Sequence, residues 1–366
     1  MTTLELYNEL KSEIPLLPEN KQIKNNEIML LEPQIVMLKK LFSSWAKKSI
    51  PIENITALMT DVFKNPNTEN GKVYEALLYA WLEIHHIRYT PQIHINQEDC
   101  FKLSAQGYDA DGVIKENNIV FDIKQFGLTL PHIETLRKKI QSKIPKDYFL
   151  TIEGGRNIST KDLQTNFLKK TDELASCIMN EKMKNYTDYL YHDPKFGLEF
   201  RAWNRKESSI FTSFSEFNSY EWAESNESHF LYHASQFCLN SPYILFCPYD
   251  EYLIHLFSND TNEDMDFTFL TFRALCQRIF MKLTKMEDRK INEFDTKARN
   301  DISVATATRK ISAIVFVDVS KEFEYKNCRT FVFQNPNADN EIPSYQIDSL
   351  FRYIGATIED FRFDNY

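Results

Sequence analysis

The chain has 366 residues, of which 43% are hydrophobic, enough to bury one large core or two ordinary ones and unlike the composition of a disordered protein. No apolar run approaches the roughly 20 residues needed to span a bilayer, and the start, MTTLELYNELKSEIP, lacks the basic and apolar regions of a signal peptide. We therefore expect a cytoplasmic protein without a membrane partner. The six cysteines contain no Cys-x-x-Cys pair, so neither a zinc site nor a disulfide framework is predicted.

Charge is distributed unevenly along the chain. The formal net charge is −9, which argues against a protein covered in basic patches. Residues 101–170 nevertheless contain 12 Lys+Arg against 8 Asp+Glu. The acidic average thus hides a basic neighbourhood.

Three regions follow one another in the predicted organisation. Apolar residues recur at helical spacing through residues 1–65, which predicts a helical N-terminal region. The turn-rich KNPNTENG ends it, and a core of residues 66–180 is predicted to follow: a helix KVYEALLYAWLEIHHI, a strand near residues 92–96, a hairpin, a basic helix and the strand DYFLTIEG. That order indicates an α/β domain with a mixed sheet.

The region of residues 181–366 is predicted to be a C-terminal α/β extension. Three of its segments, PYILFCPYD, SAIVFVDVS and RTFVFQNP, have the apolar, β-branched and aromatic composition of strands. They either extend the first sheet or form a second one, for substrate selection or dimerisation.

The hairpin GYDADGVIKENNIVFDIKQFG carries charges inside two apolar strands. A symmetric turn across KENN makes Ile114 face Ile119, and therefore Asp111 face Asp122; an odd-numbered turn would put the carboxylates on opposite faces. Opposed β-carbons lie about 4.5 to 5.5 Å apart. Two like charges about 4 Å apart repel by roughly 4 kcal/mol at an effective dielectric of 20. A divalent cation bound by both carboxylates would turn this repulsion into a binding site.

Lys124 shares a face with Asp122, because side chains alternate along a strand. Phosphodiester hydrolysis needs a positioned water and stabilisation of charge on phosphorus, and a lysine at this place serves both. In the same register Asp109 faces Lys124 and is predicted to pair with it, although the sequence DAD also makes Asp109 an alternative to Asp111 as metal ligand.

Glu75 is a further carboxylate, in the first two turns of the helix before the hairpin. It shares a partly apolar face with Leu78 and Leu82. A helix packed on the sheet could direct it at the metal. The alternative is an exposed glutamate favoured by the helix dipole.

Asp111 followed by GVI, and eleven residues later VFDIK, resembles the PD-(D/E)XK nuclease superfamily, which includes many restriction endonucleases. That pattern has an aspartate at one strand, an acidic residue two positions before a lysine in the next, and often a glutamate on the preceding helix. Asp111, Asp122, Lys124 and Glu75 match these positions in order, over residues 66–153. No proline precedes Asp111, and Asp122 stands where glutamate is more usual.

The resemblance implies a restriction-endonuclease-like mixed sheet with an αβββαβ core. It also implies that Asp111, Asp122, Glu75 and the carbonyl of Ile123 bind Mg²⁺ or Mn²⁺, and that Lys124 positions the attacking water.

Basic residues after the hairpin are candidates for contacts to nucleic-acid phosphates, the alternative being a solvated helix face. The candidates are Arg137, Lys138, Lys139 and Lys143, with Gln125 beside the lysine of the motif and Gln141 as a weaker candidate.

The function expected is a metal-dependent endonuclease acting on DNA, in the context of restriction or phage defence. A homodimer is expected because a C2 dimer provides one site for each strand. The alternative from another class is a catalytically inactive nuclease-like module that binds nucleic acid or a partner protein. A third hypothesis keeps the metal site but has RNA or a nucleotide second messenger as substrate.

Overall fold

The computed structural model describes residues 23–24, 27–28, 32–47, 58, 61–62, 71–125, 131–154, 164–184, 191–193, 198–204, 219–249, 267–286, 288–319 and 329–361. In chain order the regular elements are β1 (Ile23–Lys24), β2 (Glu27–Ile28), α1 (Glu32–Lys47), α2 (Gly71–Ile84), β3 (Tyr89–Ile95), β4 (Tyr108–Ile114), β5 (Ile119–Ile123), α3 (Pro131–Gln141), β6 (Tyr148–Gly154), α4 (Thr171–Lys184), β7 (Tyr191–Asp193), β8 (Leu198–Asn204), α5 (Ser219–Leu231), β9 (Tyr243–Tyr249), α6 (Phe267–Gln277), α7 (Val304–Thr308), β10 (Ala313–Asp318), β11 (Thr330–Gln334), α8 (Ser344–Phe351) and β12 (Thr357–Asp360). Helix α1 lies in the predicted helical N-terminal region, most of which is outside the described residues.

A seven-stranded mixed sheet organises the first of two compact units, formed by residues 1–126, 230–255 and 264–366. Its strand order is β12-β11-β10-β9-β5-β4-β3. Strands β3, β4 and β5 form an antiparallel meander, and β9 joins β5 in parallel and β10 joins β9 in parallel. Strand β11 is antiparallel to β10 and parallel to β12. The predicted mixed α/β architecture is therefore confirmed.

The three predicted C-terminal strands form β9, β10 and β11 and extend the first sheet. Every residue of each of these strands is buried. Strands covered on both faces have nearly continuous apolar sequences, and this composition made them recognisable in the sequence.

Helices cover both faces of this sheet. Helices α1, α2 and α8 contribute to one apolar cluster with Phe121, Phe246 and Val315, and Trp45 and Trp81 are fully buried in it. On the opposite face, Phe272 of α6 stacks on Phe316 with ring centroids 3.9 Å apart. Helix α2 is thus held against the sheet next to the meander β3-β4-β5.

The second unit comprises residues 127–229 and 256–263 and has its own three-stranded sheet, in the order β6-β8-β7. Helices α3 and α4 pack on that sheet through Leu136, Ile140, Leu174 and Ile178. The assignment of β6 to the core sheet was therefore wrong, because β9 occupies the place beside β5. Strand β9 is buried at every residue, whereas Thr151 and Ile152 of β6 are only partly buried. Residues 127–180 of the predicted core belong to this second unit.

Candidate functional site

The hairpin has the register that the symmetric turn predicts. Gly112 pairs with Phe121, Val113 with Val120, and Ile114 with Ile119. The pairing of β4 with β5 ends at the Gly112–Phe121 pair, while β5 remains paired with β9 on its other edge as far as Ile123. Asp111 and Asp122 therefore lie at the point where the two strands of the hairpin separate.

At this point the two strands are joined by hydrogen bonds to the aspartate side chains instead of backbone–backbone hydrogen bonds. The amide N–H of Asp111 donates to Oδ1 of Asp122 at 3.0 Å, and the amide N–H of Ile123 donates to Oδ2 of Asp111 at 2.6 Å. Each carboxylate thus accepts a hydrogen bond from the backbone of the other strand. The two predicted metal ligands are brought together, as expected for opposed positions.

The glycine after Asp111 lets the strands approach this closely. A β-carbon on Gly112 would lie 2.6 Å from the carbonyl oxygen of Thr90 and 2.6 Å from the ring of Phe121. Any side chain here would push β3 and β5 away from Asp111.

Glu75 is buried, with 6% of the residue exposed, so the alternative of an exposed helix residue was wrong. Its Oε2 lies 2.5 Å from Nζ of Lys72, and its Oε1 accepts a hydrogen bond from Nε2 of Gln92 at 3.0 Å. The hydroxyl of Tyr79 donates to the carbonyl oxygen of Asp111 at 2.6 Å. Helix α2 therefore brings Glu75 close to Asp111, in the middle of β4.

Gln92 has an unusual backbone conformation at the same place. Its φ is 50°, in the left-handed region that non-glycine residues seldom adopt. In the pairing of β3 with β4, Pro91 lies opposite Gly112 and Ile93 lies opposite Ala110. Gln92, between them, therefore lies beside Asp111. Strained backbone of this kind clusters at functional sites.

Burial, followed by repulsion between carboxylates, sets the electrostatics of the cluster. Burial, and then the charges of Asp122 and Glu75, raise the pKa of Asp111 to about 8, while Lys124 and the Ile123 amide act in the opposite direction. Burial also raises the pKa of Glu75, partly offset by Lys72. Ionising Asp111 next to Asp122 and Glu75 is therefore unfavourable, even with Lys124 and Lys72 nearby.

Lys124 and Asp109 have different partners from the predicted ones. Nζ of Lys124 donates to Oε1 of Gln236 at 3.1 Å. Asp109 is exposed and lies 2.8 Å from Nδ1 of His94, its direct neighbour on β3. The predicted ion pair between Asp109 and Lys124 was wrong because β4 and β5 are no longer paired there. Because Asp109 is exposed and contacts His94, it is a poor alternative to Asp111 as a metal ligand.

Tyr243, at the start of β9, completes the surroundings of Asp122. Its buried hydroxyl donates to Oδ2 of Asp122 at 2.7 Å. Sequence reasoning missed Tyr243, Gln236, Gln92 and Lys72. Only Lys72 had a sequence signal, three residues before Glu75 on the same helix. The others reach the site through pairing of distant strands.

The donor atoms of the cluster suit a hard divalent cation, which prefers carboxylate and carbonyl oxygens. Such a cation would offset the cost of ionising the buried Asp111 beside Asp122 and Glu75. Both oxygens of Asp122 accept hydrogen bonds from protein groups. In the described part of the chain, no group of three or more His, Cys, Asp or Glu side chains is arranged to hold a metal ion. The residues therefore fit a divalent cation by donor chemistry, and their arrangement would have to adjust to bind it.

The remaining candidates divide between the two units. Gln125 is half-buried directly after Lys124. Arg137, Lys138, Lys139 and Lys143 lie on α3 or just after it, in the second unit, and Nζ of Lys143 is 2.6 Å from Asp172. Contact of these residues with nucleic acid stays a prediction. The side chain of Gln141 ties the end of α3 to β6, through the carbonyl of Tyr148 and the amide of Leu150.

Comparisons with protein-family models, with curated proteins and with solved structures found no match. Among the described residues, no helix is both long and apolar enough to cross a membrane.

Proposed function

We propose that the chain is a metal-dependent nuclease of the PD-(D/E)XK type that hydrolyses phosphodiester bonds in DNA. The observation that carries the proposal is the meeting of Asp111, Asp122, Glu75 and Lys124 at one point of the sheet. Carboxylates that are shielded from solvent and have a raised pKa, as Glu75 and Asp111 have, are typical of active sites when a lysine lies nearby.

The order of the elements also favours this proposal. Helix α2 is followed by the antiparallel strands β3, β4 and β5, and the next strand beside β5 is the parallel β9, with α5 directly before it in the chain. This is the αβββαβ order that the sequence resemblance implies, with β9 rather than β6 as its last strand. Residues 127–229 of the second unit lie between β5 and β9 in the chain, and most of α5 belongs to them.

In the proposed site Asp111, Asp122, Glu75 and the carbonyl of Ile123 would hold Mg²⁺ or Mn²⁺. When bound, such an ion polarises a phosphoryl oxygen and makes a water more acidic. Tyr243 and the backbone amides orient the two aspartates. Helix α2 fixes Glu75 through Lys72 and Gln92.

Lys124 supplies positive charge next to the carboxylates. Its bond to Gln236 holds the ammonium group in one place, and it immediately follows the strand that carries Asp122. A fixed ammonium group hydrogen-bonds a water or stabilises the negative charge that develops on phosphorus.

Cleavage of supercoiled plasmid and of single-stranded DNA and RNA in Mg²⁺ or Mn²⁺ tests the proposal. We expect Asp122→Ala and Lys124→Ala to reduce the rate by at least 100-fold, while Lys115→Ala, in the turn at the far end of the hairpin, keeps it. Equal cleavage by all four proteins would assign the activity to another site or to a contaminant. The same assay distinguishes DNA from RNA, and sedimentation would determine whether the protein is the expected homodimer.

A catalytically inactive nuclease-like module is the second candidate function. It is favoured by the hydrogen bonds that both oxygens of Asp122 accept from protein groups. Titration calorimetry with Mn²⁺ separates the two functions. Binding abolished by Asp111→Asn supports the nuclease, and no binding together with no cleavage supports the inactive module.

A further inference from the structure

The first unit carries two short segments that pair with each other. Residue Lys102 lies opposite Ala298 in an isolated antiparallel bridge. The amide of Leu103 donates to the carbonyl of Lys297 at 2.8 Å, and the amide of Arg299 donates to the carbonyl of Phe101 at 2.9 Å. We call residues 101–103 and 297–299 the basic ribbon.

Hydrogen bonds connect the basic ribbon to Lys124. The segment that holds Gln236, the partner of Lys124, includes Ser235, whose amide donates to Oδ2 of Asp295 at 2.9 Å. The other carboxylate oxygen of Asp295 accepts the amide N–H of Lys297 at 3.0 Å. Asp295 is itself buried, so this connection is part of the folded core.

The other side of the ribbon continues directly into the strand of Asp111. After Leu103 the chain turns at Gly107, where φ is 63°, and enters β4 at Tyr108. A β-carbon on Gly107 would lie 2.0 Å from the carbonyl oxygen of Ile95, so this close turn requires glycine. The ribbon is therefore connected to β4 on one side and to the segment of Gln236 on the other.

The cations of the ribbon are available to an external anion. Lys297 is exposed and Lys102 is partly exposed, and neither side chain has a carboxylate partner within the described residues. Arg299 lies over the ring of Phe101 and is 3.8 Å from Asp301. Next to the ribbon is an open cavity of about 390 Å³ whose lining is polar, formed by His94, Asn96, Gln97, Glu98, Ala105 and Gln106.

We propose that the basic ribbon contacts the phosphate backbone of the nucleic acid, with Lys102 and Lys297 as its phosphate ligands. This inference rests on the proposed function, because it gives the substrate of that site a binding surface within the same unit. Phosphates are the groups that lysines contact without regard to sequence, and water-filled polar cavities are common in such interfaces. The predicted contacts on α3 are a separate matter, since α3 belongs to the second unit.

The test is the binding of fluorescein-labelled DNA duplex in EDTA, followed by anisotropy at salt concentrations between about 50 and 200 mM. Each phosphate contact contributes about 0.9 to the slope of log K against log salt for a duplex. We expect the variant K102A/K297A to bind at least 10-fold more weakly at the lowest salt, with a slope smaller by about 1 to 2. The controls are the single variants Lys297→Ala and Lys115→Ala, which remove one charge each from exposed positions; Lys115→Ala, in the β4–β5 turn, should leave affinity and slope unchanged, whereas Lys297→Ala should weaken binding.

Each outcome decides the proposal. Unchanged affinity and slope in K102A/K297A overturn it, as does an equal loss in Lys115→Ala, which would indicate a general charge effect. Absence of duplex binding by the native protein overturns it too. Because the assay contains no metal, it is independent of the cleavage assay. If K102A/K297A cleaves DNA and binds it normally, the nuclease proposal is supported and the proposed phosphate contacts of the basic ribbon are refuted. If K102A/K297A binds DNA more weakly but the native protein cleaves no nucleic acid, the phosphate contacts of the basic ribbon are supported and the nuclease proposal is refuted.

Discussion

Replacing Asp111 by Asn should stabilise the metal-free protein. The side-chain oxygen of an asparagine can still accept a hydrogen bond from the Ile123 amide, while its uncharged side chain removes the cost of burying a charge and the repulsion with Asp122 and Glu75. The pKa of Asp111 is raised from 3.8 to about 8, so above pH 3.8 the unfolded chain loses a proton that the folded protein retains. The contribution of this group to stability therefore falls as pH rises from about 4 to about 8.

The size of the effect follows from this shift. One pKa unit corresponds to about 1.4 kcal/mol, and because Asp122 and Glu75 readjust when Asp111 is replaced, we expect a gain of about 2 to 4 kcal/mol at pH 7.5. The gain should shrink towards zero near pH 4. Urea unfolding in EDTA at a series of pH values measures it.

Asp109→Asn is the matched control, because this aspartate is exposed and its change should lie within about 0.5 kcal/mol. Excess Mn²⁺ should stabilise the native protein and have a smaller effect on Asp111→Asn, since binding to the folded state adds stability. If Asp111→Asn were less stable than the native protein at pH 7.5, the account of the cluster as a site where ionising Asp111 is unfavourable would be refuted.

Three further changes test other parts of the structure. Tyr243→Phe removes the buried donor to Asp122 and should cost about 1 to 3 kcal/mol of unfolding free energy in urea, whereas a change below about 0.3 would mean that this hydrogen bond is not formed. Gly112→Ala should destabilise the protein by about 1 to 3 kcal/mol through contact with Thr90 and Phe121, while Gly71→Ala, which meets nothing within 4 Å, should be neutral or slightly stabilising in the same thermal unfolding experiment. Burial lowers the pKa of His85 from 6.5 to about 4, so stability should be complete above pH 6.5 and decrease by roughly 1 to 2 kcal/mol as pH falls to 4. His85→Gln should remove that part of the pH dependence, and identical pH profiles for both proteins would contradict it.

Local pattern determined much of the hairpin. The alternation of apolar residues, the four-residue turn and the two aspartates were sufficient to predict that Ile114 faces Ile119 and that Asp111 meets Asp122. The strands β9, β10 and β11 were visible because a buried strand needs a nearly continuous apolar sequence. These features depend on side-chain period and turn length, which neighbouring residues specify.

Only the tertiary structure decided which strand lies beside β5 and which groups surround the aspartates. Strands β6 and β9 are both good strands by composition, and the choice between them depends on burial on both faces, which no local pattern encodes. Tyr243 and Gln236 are more than 100 residues from the aspartates in sequence, so their hydrogen bonds exist only once β9 pairs with β5. Asp109 illustrates the same limit, because its partner changed from Lys124 to His94 where the hairpin opened. The sequence by itself pointed to Asp111, Asp122, Glu75 and Lys124, whereas the pairing of distant strands decided which groups surround them, because those groups lie far away in the chain.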